Sequence, residues 1–139
     1  MIKKEYQANI LAAKPLDEVF AFTSDPNNLP LWSGASAVEM VSEMADQVGS
    51  VYKVTFSSFF KKYSILIEIT EYNSPNSWEF KTEEKPASVS KYTFEEVEGE
   101  TKITLNLTED QESESLISDI SIKRKLDNLL INLKKYLEK

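Results

Sequence analysis

The middle of the chain, from about Ala37 to Thr108, constrains the fold more than any other part, because its apolar residues recur at every second position. The apolar members of these runs are Tyr52, Val54 and Phe56; Tyr63, Ile65, Ile67 and Ile69; Trp78 and Phe80; Tyr92 and Phe94; and Ile103, Leu105 and Leu107. Turn residues separate the runs, as at Val48-Gly49-Ser50 and Glu98-Gly99-Glu100. Strands this closely spaced leave no room for crossover helices, so they predict an antiparallel sheet with one polar and one apolar face.

The C-terminal part of the chain predicts a helix that could cover the apolar face of this sheet. No Gly or Pro occurs over residues 115–138, and a helix of that length spans roughly 36 Å. Its main apolar stripe consists of Ile122, Leu126, Leu129, Leu130, Leu133, Tyr136 and Leu137. Leu116, Ile117 and Ile120 fall on a different side of the helix. Either the helix bends near Asp119–Ile122, or its first turns contact something other than the sheet.

The start of the chain predicts one strand followed by two short helices. Residues from about Lys4 to Ala12 alternate in the manner of a half-buried strand. Pro15 suits the first turn of a helix, where its missing N–H costs nothing, and Asp17-Glu18 suits the positive end of the helix dipole. Asp25-Pro26 predicts a second N-cap with proline at the first helical position.

Composition and charge exclude several classes of function. The chain has 139 residues, enough for one domain with a proper core. Its net charge of −7, with Arg124 as the single arginine, argues against a nucleic-acid surface. It contains no Cys and no His, which excludes disulfides, thiol catalysis, imidazole-based triads and zinc sites built on these residues. We therefore predict no metal, no cofactor and no dedicated catalytic residue.

The distribution of apolar residues also bears on location. No apolar run reaches the length of a membrane span, and residues Met1–Glu5 carry no hydrophobic segment of the secretory type. We therefore expect a cytoplasmic protein, monomer or homodimer, without stable membrane insertion.

The order of predicted elements and the segment after the first strand are similar to a known superfamily. The order is strand, two short helices, six strands and a long helix. Val19–Thr23, followed by Asp25–Leu29 and Trp32, resembles the opening of the SRPBCC superfamily (START and polyketide cyclase-dehydratase-like proteins), and Gly49 and Gly99 match its usual turn positions. The resemblance implies an α+β helix-grip fold, with residues 1–139 as a single SRPBCC-like domain. In that fold a seven-stranded curved antiparallel sheet surrounds a long C-terminal helix, with two short helices between strands 1 and 2.

The resemblance also implies a cavity between the sheet and the long helix, filled by a hydrophobic small molecule or lipid. We expect non-catalytic binding there, which suits a chain without His or Cys. The residues expected to contact the ligand are Phe22, Leu29, Trp32, Tyr52, Phe56, Tyr63, Ile65, Trp78, Tyr92, Phe94, Leu105, Ile122 and Leu126. For each of the aromatic residues at 78, 80, 92 and 94, ordinary core packing is the simpler interpretation. Inward tyrosine hydroxyls at 52, 63 and 92 would need polar partners.

Three other functions stay open within the same resemblance, of which the branch tied to ubiquinone or ribosome association has no distinctive support in these residues. A polyketide cyclase or dehydratase often requires acid–base residues, and no convergent set of them appears on the inferred inward faces of the strands. A protein-interaction module of the Hsp90 ATPase activator type has a Trp-rich motif after the second helix. This chain has Leu31-Trp32-Ser33-Gly34 there, with a single Trp.

Two local features have more than one interpretation, and a third has a single simple one. Phe59-Phe60 cannot both face inward on a regular strand. A bulge or turn that packs both rings is the simpler expectation, and closure of the cavity mouth or contact with a partner or membrane surface is the alternative. Asp119 could face the cavity, or it could be exposed where the helix bends or frays. The acidic run Glu109–Glu112 predicts a solvated loop.

Overall fold

The computed structural model describes residues 2–83, 86–113 and 115–139. The strands are β1 (Ile2–Ala12), β2 (Ala37–Ser42), β3 (Val51–Ser58), β4 (Lys61–Asn73), β5 (Ser77–Thr82), β6 (Ser88–Val97) and β7 (Glu100–Gln111). The helices are α1 (Leu16–Thr23), the single-turn α2 (Leu29–Trp32) and α3 (Leu116–Leu137), and a 3₁₀ turn at Pro26–Asn28 leads directly into α2. Within the described ranges, no helix is long and apolar enough to cross a membrane.

The seven strands form one antiparallel sheet in the order β1-β7-β6-β5-β4-β3-β2. Strands β2 to β7 pair with their neighbours along the chain. β1 instead pairs with β7 over its full length, from Ile2 opposite Gln111 to Ala12 opposite Thr101. The curved sheet around a long C-terminal helix is the α+β helix-grip fold, which confirms the fold class predicted from the sequence.

Residues at the N-cap positions determine where the short helices between β1 and β2 begin. The Asp25 carboxylate accepts a hydrogen bond from the backbone N–H of Asn27 at 3.0 Å, and Pro26 follows at the first helical position, which confirms the predicted cap. Pro15 lies one position earlier than expected, at the N-cap of α1, with φ −63° and an extended ψ of 148°. Its fixed φ suits that position as well, because no backbone N–H is needed there.

The core is closed at the end of the sheet where α1, α2 and the C-terminal half of α3 meet. Phe20 of α1 contacts Tyr72 and Phe94 edge-on, with ring centroids 5.3 and 5.4 Å apart. Trp78 of β5 and Leu133 of α3 are fully buried in the same cluster. Large aromatic rings bury on the order of 150–250 Å² each, so this end of the molecule holds most of the packing.

α3 is one continuous helix of 22 residues, about 33 Å long. The Ser115 hydroxyl caps it by accepting a hydrogen bond from the backbone N–H of Ser118 at 3.2 Å. Its buried residues are Leu126, Leu130, Leu133 and Leu137. Leu116, Ile117 and Ile120 are 75%, 82% and 52% exposed. These three apolar side chains therefore do not pack on the sheet, whereas Asp119 in the same turns contacts Tyr6 and Lys4 of β1, so neither sequence interpretation describes the first turns in full.

The predicted solvated loop at Glu109–Glu112 is wrong for most of its length. Residues 109–111 are the end of β7 and pair with the start of β1. Lys3 stands opposite Asp110 and Lys4 opposite Glu109, and opposite charges across a strand pair stabilise it by roughly 0.2–1 kcal/mol. β1 begins at Ile2, two residues before the predicted alternation, and its first residues pair with the acidic segment, which is therefore strand and not loop.

Candidate ligand-binding cavity

A cavity of about 660 Å³ lies between the inward face of the sheet and the middle of α3, residues 121–132. α3 approaches the sheet most closely at β1 and also contacts α2. The lining of the space extends along β3 and β4 to Phe56 and the half-exposed Tyr63, beside the hairpin that joins these strands. The apolar residues that line it are Leu29, Val54, Phe56, Ile65, Ile67, Phe80, Leu105, Leu107, Ile122, Leu126 and Leu129. The wall formed by the sheet is therefore mainly apolar.

Tyr92 of β6 forms the most buried polar part of this wall, with 4% of its side chain exposed. Its ring stacks on Trp78 at 5.3 Å and meets Trp32 edge-on at 6.0 Å. Among the described residues, no group forms a hydrogen bond with its hydroxyl. Burial raises the pKa of the Tyr92 phenol, so the group stays protonated and can donate a hydrogen bond to a molecule in the cavity.

The opposite edge of the cavity is polar and belongs to α3. Ser121, Lys125, Asn128 and Asn132 line it, and their spacing places them along one side of the helix. Arg124 also lines the cavity, and it borders a second, outer groove between β1 and α3 as well. Within the described part of the chain, no carboxylate forms an ion pair with Arg124 or Lys125.

The mouth of the cavity, next to the β3–β4 hairpin, is flanked by two stacked rings. Phe56 and Tyr63 are cross-strand partners, and their rings lie 5.3 Å apart with planes 20° apart. Phe56 is partly buried, whereas Tyr63 is 55% exposed. This pair therefore runs from the interior of the cavity to the protein surface.

A polar network fixes the first turns of α3 beside β1, outside the cavity. The Tyr6 phenol donates a hydrogen bond of 2.6 Å to Asp119, and the Gln111 amide donates one of 2.8 Å to the same phenol. Lys4 forms an ion pair with Asp119 at 3.2 Å. The bond from Tyr6 lowers the pKa of Asp119, with a further contribution from Lys4. Asp119 therefore faces the outer groove and is neither a cavity residue nor fully solvated.

Eight of the residues proposed from the sequence line the cavity. They are Leu29, Phe56, Tyr63, Ile65, Tyr92, Leu105, Ile122 and Leu126. The other five do not line it, because they pack in the closed end of the core or against a helix. Phe22 stacks on Tyr136 at 4.9 Å, Phe94 packs on Phe20, and Trp78 lies behind Tyr92. Tyr52 is buried in the core cluster, and Trp32 borders a smaller neighbouring pocket.

Sequence reasoning missed both apolar and polar lining residues. Val54, Ile67, Phe80 and Leu107 lie on the inward faces already identified by the alternation, so that pattern could have found them. The polar edge of α3 gave no such signal, because polar residues beside an apolar stripe are typical of any amphipathic helix. Among the described residues, no cluster of three or more acidic side chains could hold a metal ion.

Comparison with known proteins agrees with this architecture. A family model described as polyketide cyclase / dehydrase and lipid transport matches residues 4–138. No curated protein matches the chain.

Among solved structures, a START superfamily protein from Mycobacterium smegmatis is similar at a TM-score of 0.83 and 11% identity, over 96% of this chain and 97% of the other. Major latex-like protein 151 from Panax ginseng is similar at 0.78 and 12%, over 100% of both chains. The di-domain ARO/CYC StfQ from the steffimycin biosynthetic pathway is similar at 0.78 and 6%, over 99% of this chain and 50% of its own. At such low identity these likenesses show the fold alone.

Proposed function

The chain belongs to the polyketide cyclase/dehydrase and lipid transport family, and from that premise we propose that it binds a hydrophobic small molecule or lipid between the sheet and α3 without catalysing a reaction. The observation that carries the proposal is the cavity of about 660 Å³ with its apolar wall. Ligand sites are typically concave, mostly apolar and about 300–1,000 Å³ in volume. The space is thus of the size that a single small ligand fills.

The distribution of polar groups favours an amphipathic ligand. Its apolar body would lie on the sheet, against residues such as Ile65 and Leu105, and its polar part would face Lys125 and Asn128 on α3. Tyr92 would donate a hydrogen bond from the interior wall. Its hydroxyl has no hydrogen-bond partner among the described residues, so a ligand acceptor at this position forms the bond without displacing a protein partner.

A cyclase or dehydratase reaction is the second candidate, because Tyr92 and Glu109 both line the cavity. Burial raises the pKa of the Tyr92 phenol, so it could donate a hydrogen bond but is a weak proton donor and could not serve as the base at neutral pH. Glu109 would have to take that role. Turnover of a polyketide-like substrate that is lost in Glu109→Gln while binding is retained would replace the binding proposal with this one.

Native mass spectrometry of the chain purified from its own host tests the proposal. We expect one non-covalently bound small molecule per chain, released on denaturation. Ile65→Trp fills the cavity and should remove the adduct, whereas the matched variant Ile65→Val should keep it. A folded wild-type chain that carries no adduct, and gains none after incubation with a total lipid extract, would overturn the proposal.

A further inference from the structure

The tip of the β3–β4 hairpin carries two aromatic rings that no described residue covers. Ser58 pairs with Lys61, so Phe59 and Phe60 are the two central residues of the turn. Phe59 is 95% exposed and Phe60 is fully exposed. The expectation that a turn or bulge would pack both rings is therefore wrong, and the structure gives them no internal role.

The turn itself does not favour phenylalanine at this position. Phe59 adopts a φ of +51°, the left-handed region that costs a side chain with a Cβ about 1 kcal/mol or more. Two-residue hairpin turns that require a positive φ at their first central position usually have Gly or Asn there. Phe59 is thus unfavourable for the turn and leaves a large apolar surface in water.

The charge around these rings is opposite to that of the whole chain. The net charge is −7, yet residues 47–67 contain three lysines and no acid. Two of these lysines, Lys61 and Lys62, directly follow the aromatic pair. Within the described residues neither forms an ion pair. We refer to residues 59–62 as the aromatic tip.

The aromatic tip lies next to the mouth of the cavity. Lys62 is adjacent in sequence to Tyr63, which stacks on Phe56 at the cavity wall. The hairpin extends from the same end of the sheet as the start of β6 and the end of β7, where Ser90 and Leu107 line the space. A surface that contacts the tip therefore lies close to the opening through which a ligand would pass.

We propose that the aromatic tip docks the open end of the cavity onto an anionic lipid bilayer. Two rings with flanking lysines match a bilayer surface, because an apolar ring such as Phe can bury at the boundary between headgroups and acyl chains and each nearby Lys adds attraction to anionic lipids. A stable protein interface needs about 800 Å² on each partner, far more than two side chains provide. Docking itself does not depend on the proposed function. Only the transfer of a ligand from the membrane into the cavity rests on it.

Co-sedimentation with vesicles tests the docking without any ligand. We expect the wild-type chain to bind phosphatidylcholine vesicles that contain phosphatidylglycerol, and to bind pure phosphatidylcholine vesicles more weakly. Phe59→Gly/Phe60→Ser should weaken binding about tenfold or more, because both rings leave the bilayer. Lys61→Gln/Lys62→Gln should remove most of the preference for the anionic lipid.

Two controls separate docking from folding and from ligand binding. Glycine is the residue that the turn geometry favours at position 59, so the tip variant should unfold at a temperature no lower than Phe60→Ser alone. Val41→Ser removes a residue that is 57% exposed, near the other end of β3, and should leave vesicle binding unchanged. Ligand adducts in native mass spectra should be the same in the tip variant as in the wild type.

The docking proposal fails if the wild-type chain does not bind anionic vesicles, or if the tip variant binds them as well as the wild type. It also fails if the tip variant instead abolishes a dimer seen by analytical ultracentrifugation, because the rings would then contact a second copy of the chain. Each of these three results would leave the cavity proposal intact, since that depends on the ligand adduct and on Ile65→Trp.

Discussion

The ring of Tyr92 lies flat against the indole of Trp78, with centroids 5.3 Å apart and planes 8° apart. Trp78 is completely buried, whereas Tyr92 also lines the cavity. The stack therefore marks the boundary between the closed core and the open space. It also holds the Tyr92 phenol at the wall, where no described protein group hydrogen-bonds to it.

Tyr92→Phe should affect binding without destabilising the fold. The ring stack stays, and the hydroxyl that is removed has no protein partner, so the free energy of unfolding should change by less than about 1 kcal/mol. A ligand with a hydrogen-bond acceptor should bind about tenfold less tightly, whereas a purely apolar probe should not. Isothermal titration with both kinds of ligand and a urea unfolding curve would measure these effects. A loss of several kcal/mol of stability would show that the hydroxyl is needed by the protein itself.

Ile65 and Ile69, on the same face of β4, should respond in opposite ways to an added ring. Ile65 lines the cavity, so Ile65→Trp can place the indole in existing space and keep its stability. Ile69 is fully buried in the closed core, and Ile69→Trp should lose about 1–3 kcal/mol or more from overpacking. Thermal unfolding of the two variants measures the contrast. Equal destabilisation would mean that no cavity exists around Ile65.

Asp119 should make the stability of the chain dependent on pH in the acid range. The Tyr6 phenol lowers the pKa of this carboxyl below its ordinary 3.8. The stabilisation that ionised Asp119 provides is therefore fully present above its ordinary pKa of 3.8. This stabilisation is lost as the pH falls through the lower pKa of the folded state. Asp119→Asn should be less stable than the wild type at neutral pH, and the difference should shrink in acid. Asp46→Asn, at an exposed aspartate outside the network, is the control and should show no such convergence in urea unfolding.

Asp25→Ala should test the cap that positions α2 at the edge of the cavity. Its carboxylate accepts the hydrogen bond from the Asn27 N–H, and removal of an N-cap side chain costs about 0.5–2 kcal/mol. Because Leu29 of α2 lines the cavity, ligand affinity should fall together with stability. Asp17→Ala is the matched control, since Asp17 lies in the first turn of α1, which has no side-chain cap. Equal effects of the two changes in chemical unfolding would contradict this role for Asp25.

The fold could be predicted from the sequence because its signals are local and repeated. The alternation of apolar residues predicted the inward faces of β3 to β7, and the absence of Gly and Pro from the C-terminal segment predicted α3. The end of β7 was missed because its acids appear solvated until Lys3 and Lys4 are placed opposite them. That pairing joins residues more than a hundred positions apart, which no local pattern reveals.

The candidate site could be predicted only in part, because alternation identifies a face and not its depth. Trp78 and Tyr92 both point inward, yet only Tyr92 reaches the cavity. The difference arises from how far the strands curve away from α3, and that is a property of the whole sheet. The sequence also could not predict that Phe59 and Phe60 are exposed, because a two-residue turn has no periodicity from which to infer burial.

Titration with a fluorescent apolar probe, such as anilinonaphthalene sulfonate, tests the central claim most directly. The cavity proposal predicts saturable binding of one probe per wild-type chain, retained in Ile65→Val and weakened about tenfold or more in a folded Ile65→Trp. A wild-type chain that binds no probe, or an Ile65→Trp variant that binds it as tightly as the wild type, would contradict the claim that the space between the sheet and α3 is a ligand site.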